Sequence, residues 1–346
     1  MAFAQLFSGF AARLFGAAPP AAAVADAELV RMGVEAVVGT VDPRLRAGSG
    51  YTARLEPGIA CTIAHLRTLA QLLPAPVLLT RSAWADDPLL NALFATPDDV
   101  PAALGRSQEL RAFFGAPQNA ALAEAHAVLA AVKTEREVFA PAIVDGMLRQ
   151  DVAQTTVSFS RHALVCAAAD AAACRSELGV RILRRLAALA LQRITALEDL
   201  AIELDQRKAV LGAKLRLLHL RQNGLEQVAR DESDLNARIA ELERELRTTV
   251  DDYLEAKVSA RTLETRIYHV EAIFGAPADH VRLERVALRV SRLGYKVAEG
   301  SPEPATELTL LELSLGDGLQ VVIAPVRCAR AEVAAGQTLA ARGALL

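Results

Sequence analysis

Aromatic residues make up only 4% of this 346-residue chain, with 1 Trp and 4 Tyr, and Gly occurs 20 times, which argues against an all-β protein. A basic excess is missing too. The net charge of -3 argues against a general nucleic-acid binder, which needs a strongly positive face to displace phosphate counterions. Cys61, Cys166, Cys174 and Cys328 are too few and too scattered for a disulfide framework at this length, so a reducing compartment is expected, the cytoplasm first. No run of about 18 apolar residues is present to cross a bilayer, since even Leu186–Leu191 is closed in by Arg184, Arg185 and Arg193.

Motifs of known chemistry are also lacking. Gly48-Ser49-Gly50 and Gly316-Asp317-Gly318 have no third glycine and no strand-to-helix setting, and no glycine is followed by Lys and Ser/Thr, so phosphate-binding loops are unsupported. Neither a Gly-x-Ser-x-Gly elbow nor a His-Glu-x-x-His helix occurs. His162, Cys166, Asp170 and Cys174 recur at intervals of four and are competent zinc ligands by type. On a straight helix such a row drifts about 40° per step, so all four cannot converge on one ion, and the cysteines read as small apolar residues instead. The doublets Asp86-Asp87, Asp98-Asp99 and Asp251-Asp252 point apart on a helix, and two of them sit where caps are expected. The basic cluster Arg175, Arg181, Arg184 and Arg185 has no aromatic platform nearby, because none occurs between Phe159 and Tyr253. Trp84 reads as packing between short elements. No catalytic, cofactor-binding or metal-ligating residue is assigned, and no cofactor is expected.

What is abundant is alanine and helical periodicity, in a chain that is 52% apolar. The expected fold is mainly α: an irregular helical N-terminal region, a long antiparallel coiled-coil hairpin, and a small C-terminal antiparallel β element. Residues 1–24 form an amphipathic segment whose Phe3, Leu6, Phe7, Phe10 and Leu14 share one helical face. That stripe fits packing on the protein's own core, docking of residues 1–18 on a membrane surface, or an intermolecular contact. Residues 25–118 are punctuated by proline and read as short helices, and the Ala-rich stretch 119–177 reads as helices with a break at Pro141 and Gly146.

The segment 178–274 carries the strongest pattern. Twelve positions from Leu235 to Phe274 recur at spacings of three and four, all apolar except Thr249, and Ile194 to Leu225 gives a second such seam out of phase with it. A turn near 223–232 reconciles the two. Asn223-Gly224 suits a helix C-terminus, and residues 175–221 hold ten Lys/Arg against five Asp/Glu while 226–265 hold six against eleven, so antiparallel arms are complementary. The first arm also carries Leu186, Leu189, Leu200, Ile202, Leu217 and Leu220 off its seam, more apolar surface than one partner helix covers. Beyond Phe274, β-favouring runs at 286–290, 295–297, 308–315 and 319–326 predict a small meander within 275–328, followed by a tail, 329–346.

These features favour a non-enzymatic intracellular scaffold or adaptor that presents long helices to a protein partner or to another copy of itself. Leu217 and Leu220 are the candidate contact residues. The alternative is an enzyme or small-molecule sensor with an unrecognised pocket in residues 42–118.

Overall fold

The computed structural model describes residues 14, 22–144, 147–222, 232–291, 293–298, 300, 301, 303–316 and 318–343. The chain divides into two compact units. One comprises Met1–Ala36, Ile59–Arg185 and Ala276–Leu346, and the other Val37–Gly58 and Leu186–Gly275.

The first unit is built on a six-stranded sheet of β1 (Val77–Leu79), β2 (Glu124–Val144), β3 (Met147–Ala168), β4 (Val281–Val290), β5 (Thr306–Leu315) and β6 (Leu319–Ala329). The order is β3-β2-β6-β5-β4, antiparallel throughout, and β1 runs parallel to the end of β6 with Val77 opposite Val326. Alternate residues of each strand face one core. Ala125, Ala127 and Leu129 of β2 and Val322, Ala324 and Val326 of β6 pack there with Leu90, Phe94, Leu104 and Phe114. The last four come from α3 (Pro88–Leu93), its C-cap, α4 (Asp99–Arg106) and α5 (Gln108–Gly115). On the opposite face Leu283, Leu313 and Ile323 meet Leu66 and Leu69 of α2 (Tyr51–Gln71) and Leu178 and Ile182 of α6 (Ala171–Gln222). Coverage of both faces fits β6, where Val321–Val326 is an uninterrupted apolar run.

This sheet corrects the expected fold class. The protein is not mainly α with a small C-terminal β element: the runs at 286–290, 308–315 and 319–326 lie within β4, β5 and β6, but β6 continues through β2 into β3. Within 119–177, those two strands of 21 and 22 residues replace the expected Ala-rich helices, and only the part from Ala171 onward is helical, as the start of the Ala171–Gln222 helix. Alanine's helix propensity, worth a fraction of a kcal/mol per residue, is overridden by tertiary context: buried Ala125, Ala127 and Ala131 let helices approach the sheet closely. Val152, Thr155, Thr156, Val157 and Phe159 are strand formers, and Asp145-Gly146 separates the paired Val144 and Met147, a spacing typical of a two-residue hairpin.

The β2–β3 ladder contains three register shifts. Two coincide with the non-glycine residues of positive φ, Arg161 at 55° and Cys166 at 59°, and the third lies opposite Pro141, which has no N–H to donate. Each of the first two redirects a group out of the ladder. His162 stacks on Phe94 at 4.5 Å with its Nε2 2.7 Å from the Leu93 carbonyl, and the Cys166 N–H donates to Glu109 at 2.8 Å. The chain closes with α9 (Arg330–Gly343), which packs against α4.

The second unit contains the end of α1 (Ala22–Val41), the start of α2, most of α6, α7 (Glu232–Arg261) and α8 (Leu263–Gly275). The proposed turn near 223–232 lies mostly outside the described residues. Gln222 nonetheless donates to Asn236 at 2.8 Å, Arg207 pairs with Glu245 at 2.8 Å, and Lys208 sits 4.0 Å over the ring of Tyr253, so α6 and α7 run antiparallel. Thr249, the polar exception in the apolar seam, is buried and donates its hydroxyl to the Glu245 carbonyl at 2.8 Å.

Candidate functional site

Within the second unit one side of α6 is occupied and the other is open. Ile194 and Leu211 are buried, as are Ile239, Ala256 and Ala260 of α7. The base of the hairpin is tied by charge. Arg266 reaches both Asp42 and Glu198, and Arg54 makes a two-pronged contact with Glu271, Nε at 2.8 Å and Nη2 at 2.7 Å, while Nη1 lies 3.2 Å from Glu264. Such forked guanidinium–carboxylate contacts fix geometry as well as charge. They hold α8 against the 42–54 segment and, through Glu198, against α6, which runs on as one continuous helical rod.

The open side of that rod is apolar. Ile202 is 57% exposed, Val210 53%, Leu217 60% and Leu220 70%. Leu217 and Leu220, the residues singled out from the sequence, therefore lie on a continuous exposed face and not in a core. Val210 joins them, and its place is readable from its position seven residues before Leu217, about two turns.

The remaining candidates are placed elsewhere. Leu14 is fully buried in the first unit and its carbonyl accepts from Arg67 at 3.2 Å, while Arg67 also pairs with Asp26 at 2.8 Å. Phe3, Leu6, Phe7 and Phe10 lie outside the described residues. His162 and Cys166 are on β3 and Cys174 is on α6, and among the described residues no group of three or more His, Cys, Asp or Glu is placed to hold a metal ion. Burial pushes the Cys166 and Cys174 thiols up to about 12, which suits packing and not nucleophilic chemistry. Burial also holds His162 below its ordinary value. Asp87 caps α3 by accepting from Leu89 and Leu90, Asp99 accepts from Thr96, and Asp251 and Asp252 are exposed on α7. Trp84 donates to the Phe94 carbonyl at 2.9 Å and packs on the core.

Two of the cavities formed by the described residues touch the 42–118 region in the first unit. One is lined by Leu66, Leu73, Ile182 and Leu313, the other by Pro74, Pro76, His126 and Cys174, and each encloses about 20 Å³. That is room for about one water, against several hundred Å³ for a small-molecule site. A larger depression of about 460 Å³ is lined by Glu243, Leu246, Arg247, Val250 and Asp251 of α7 alone, so no second element brings groups to it.

Among the described residues no helix is long and apolar enough to cross a membrane. Comparison of the chain with protein-family models, curated proteins and solved structures finds no match.

Proposed function

We propose that this protein is a non-enzymatic scaffold or adaptor whose α6–α7 hairpin presents the outer face of α6 for docking. The exposure of Ile202, Val210, Leu217 and Leu220 on one helical rod carries the reading. Scattered exposed leucines are ordinary, but a row of them along one rigid element is a feature of helix-docking surfaces. Cys166, Cys174 and Cys328 are buried as thiols and form no disulfide, which supports a reducing compartment, the cytoplasm. Residues 1–18 give a second, optional attachment to a membrane surface through Phe3, Leu6, Phe7 and Phe10. With Arg13 as the only charge before Asp26, that contact is only weakly sensitive to salt.

The test is capture of partners from the native cell, by the wild-type chain and by the Leu217→Glu/Leu220→Glu variant, followed by mass spectrometry. The reading expects the variant to keep its melting temperature and lose the main captured species. Unchanged capture by a folded variant refutes it. Co-sedimentation of the full chain with liposomes, compared with a chain lacking residues 1–18, tests the membrane attachment separately.

A further inference from the structure

We infer that the outer face of α6 is a contact between two copies of this chain, paired antiparallel about the level of Leu211. The inference rests on the docking reading above and names the occupant of the face.

The first observation is the face itself. At about 100° per residue, Ile202, Ala209, Val210, Ala213, Leu217 and Leu220 fall within an arc of about 100°, and every one of them is exposed. Gln206 is the sole polar residue in that arc between 202 and 220, and no charged residue interrupts it.

The second observation is symmetry. A two-fold contact uses one patch twice, so each residue must find its counterpart at the mirrored position. Ile202 and Leu220 stand nine residues either side of Leu211, and Ala209 and Ala213 stand two residues either side. An antiparallel crossing at this level therefore places small residues at the centre, where backbones come closest, and bulky ones at both ends. Gln206 lies at the middle of the arc, close to the level of Leu217 of the second copy, and is the one polar side chain the contact must accommodate.

Charge decides the direction. On one margin of the face Asp205 lies six residues before the centre and Arg216 five after it; on the other, Glu203 lies eight before and Arg221 ten after. Antiparallel copies bring Asp205, which also accepts from Lys208 of its own helix at 2.5 Å, to Arg216 of the second copy and Glu203 to Arg221 of the second copy, each contact occurring twice. Parallel copies would bring opposite margins together, Asp205 towards Glu203 and Arg216 towards Arg221 of the second copy, like charge against like. The like-charged pair Arg207 and Lys214 lies further round the helix, and Arg207 is already held by Glu245 at 2.8 Å. The uncharged run spans about 27 Å, five turns, which is short for a stable interface of ~1,600 Å², so the expected affinity is micromolar.

Sedimentation of the full chain from about 1 to 200 µM tests this. The wild type should move from a mass of 36.8 kDa towards twice that value. Asp205→Arg and Arg216→Asp should each weaken association about tenfold, and the two together should return it to within about threefold of wild type, a recovery that general destabilisation cannot produce. Leu217→Glu/Leu220→Glu should abolish it. A wild type that stays monomeric at about 200 µM overturns the inference, as does a dimer indifferent to Leu217 and Leu220, or a double charge reversal that recovers nothing. If the wild type is monomeric while the leucine variant still loses its captured partners, only the second copy is refuted and the docking reading stands. If capture survives as well, both fall.

Discussion

Gly105 of α4 and Gly336 of α9 meet with no space for a side chain between them. A Cβ on Gly105 would lie 2.2 Å from the carbonyl carbon of Gly336, and one on Gly336 would lie 1.8 Å from the Pro101 carbonyl oxygen. Both obstacles are backbone, so neither helix can yield by rotating a side chain. Gly105→Ala and Gly336→Ala should each cost at least about 2 kcal/mol by urea unfolding. Gly115→Ala, where a Cβ meets nothing within 4 Å, should be neutral or stabilising. A Gly105→Ala variant as stable as wild type would show that α9 does not dock on α4 as described.

The same crossing shows what a linear sequence conceals. Neither glycine announces its partner, because the contact joins positions more than 200 residues apart and depends on the path of the sheet between them. What apolar spacing does carry is local: the seams that include Ile194, Leu211, Ile239 and Ala256 fall on positions that are buried along α6 and α7. Pattern fails where small residues serve a sheet. In β2, Ala125, Ala127 and Ala131 occupy inward positions, yet alanine lacks the branched shape that marks a strand, and in β3 the strand-forming run Thr155–Phe159 is outweighed by the alanines around it. The candidate face was legible in part. Leu217 and Leu220 stand out as apolar residues off the seam, whereas Ala209 and Ala213 gain meaning only from the exposure of the turn they share with Val210.

Thiol chemistry separates the cysteines. Burial pushes Cys166, Cys174 and Cys328 up to about 12 from an ordinary value of 9.0, while Cys61 is exposed. In the folded protein at pH 8 one thiol of the four should react promptly with a disulfide reagent, and the other three only on unfolding. These raised values also set a stability window. The unfolded chain ionises its thiols above pH 9 and the folded one does not, so their contribution is intact below pH 9 and is lost as pH rises towards 12. Each thiol should remove about 1 kcal/mol between pH 8 and pH 10. Prompt reaction of two or more thiols, or no loss of stability by pH 10, contradicts this.

Two arginine contacts of the second unit differ in environment and should differ in consequence. The Arg266 side chain is 15% exposed and serves both Asp42, which is 12% exposed, and Glu198. Removing it strands a carboxylate in a poorly solvated site, so Arg266→Met should cost about 3 kcal/mol. Arg207 and Glu245 are 61% and 42% exposed, and Arg207→Met should change stability by less than about 1 kcal/mol. Chemical denaturation of the two variants beside wild type checks the contrast, and equal effects would contradict it.

The most direct measurement of the central claim is solvent accessibility along α6. Nitroxides placed singly at Ile202, Ala213 and Leu220, with Glu241 and Glu255 of α7 as references, report collision with a soluble relaxing agent. In the dilute chain all five positions should be accessible. In the assembled form isolated from its native cell, the three α6 positions should become several-fold protected while the two α7 positions stay unchanged. Accessibility that is the same in both states at Ile202, Ala213 and Leu220, or that falls equally at Glu241 and Glu255, would show that the outer face of α6 is not the surface this protein uses.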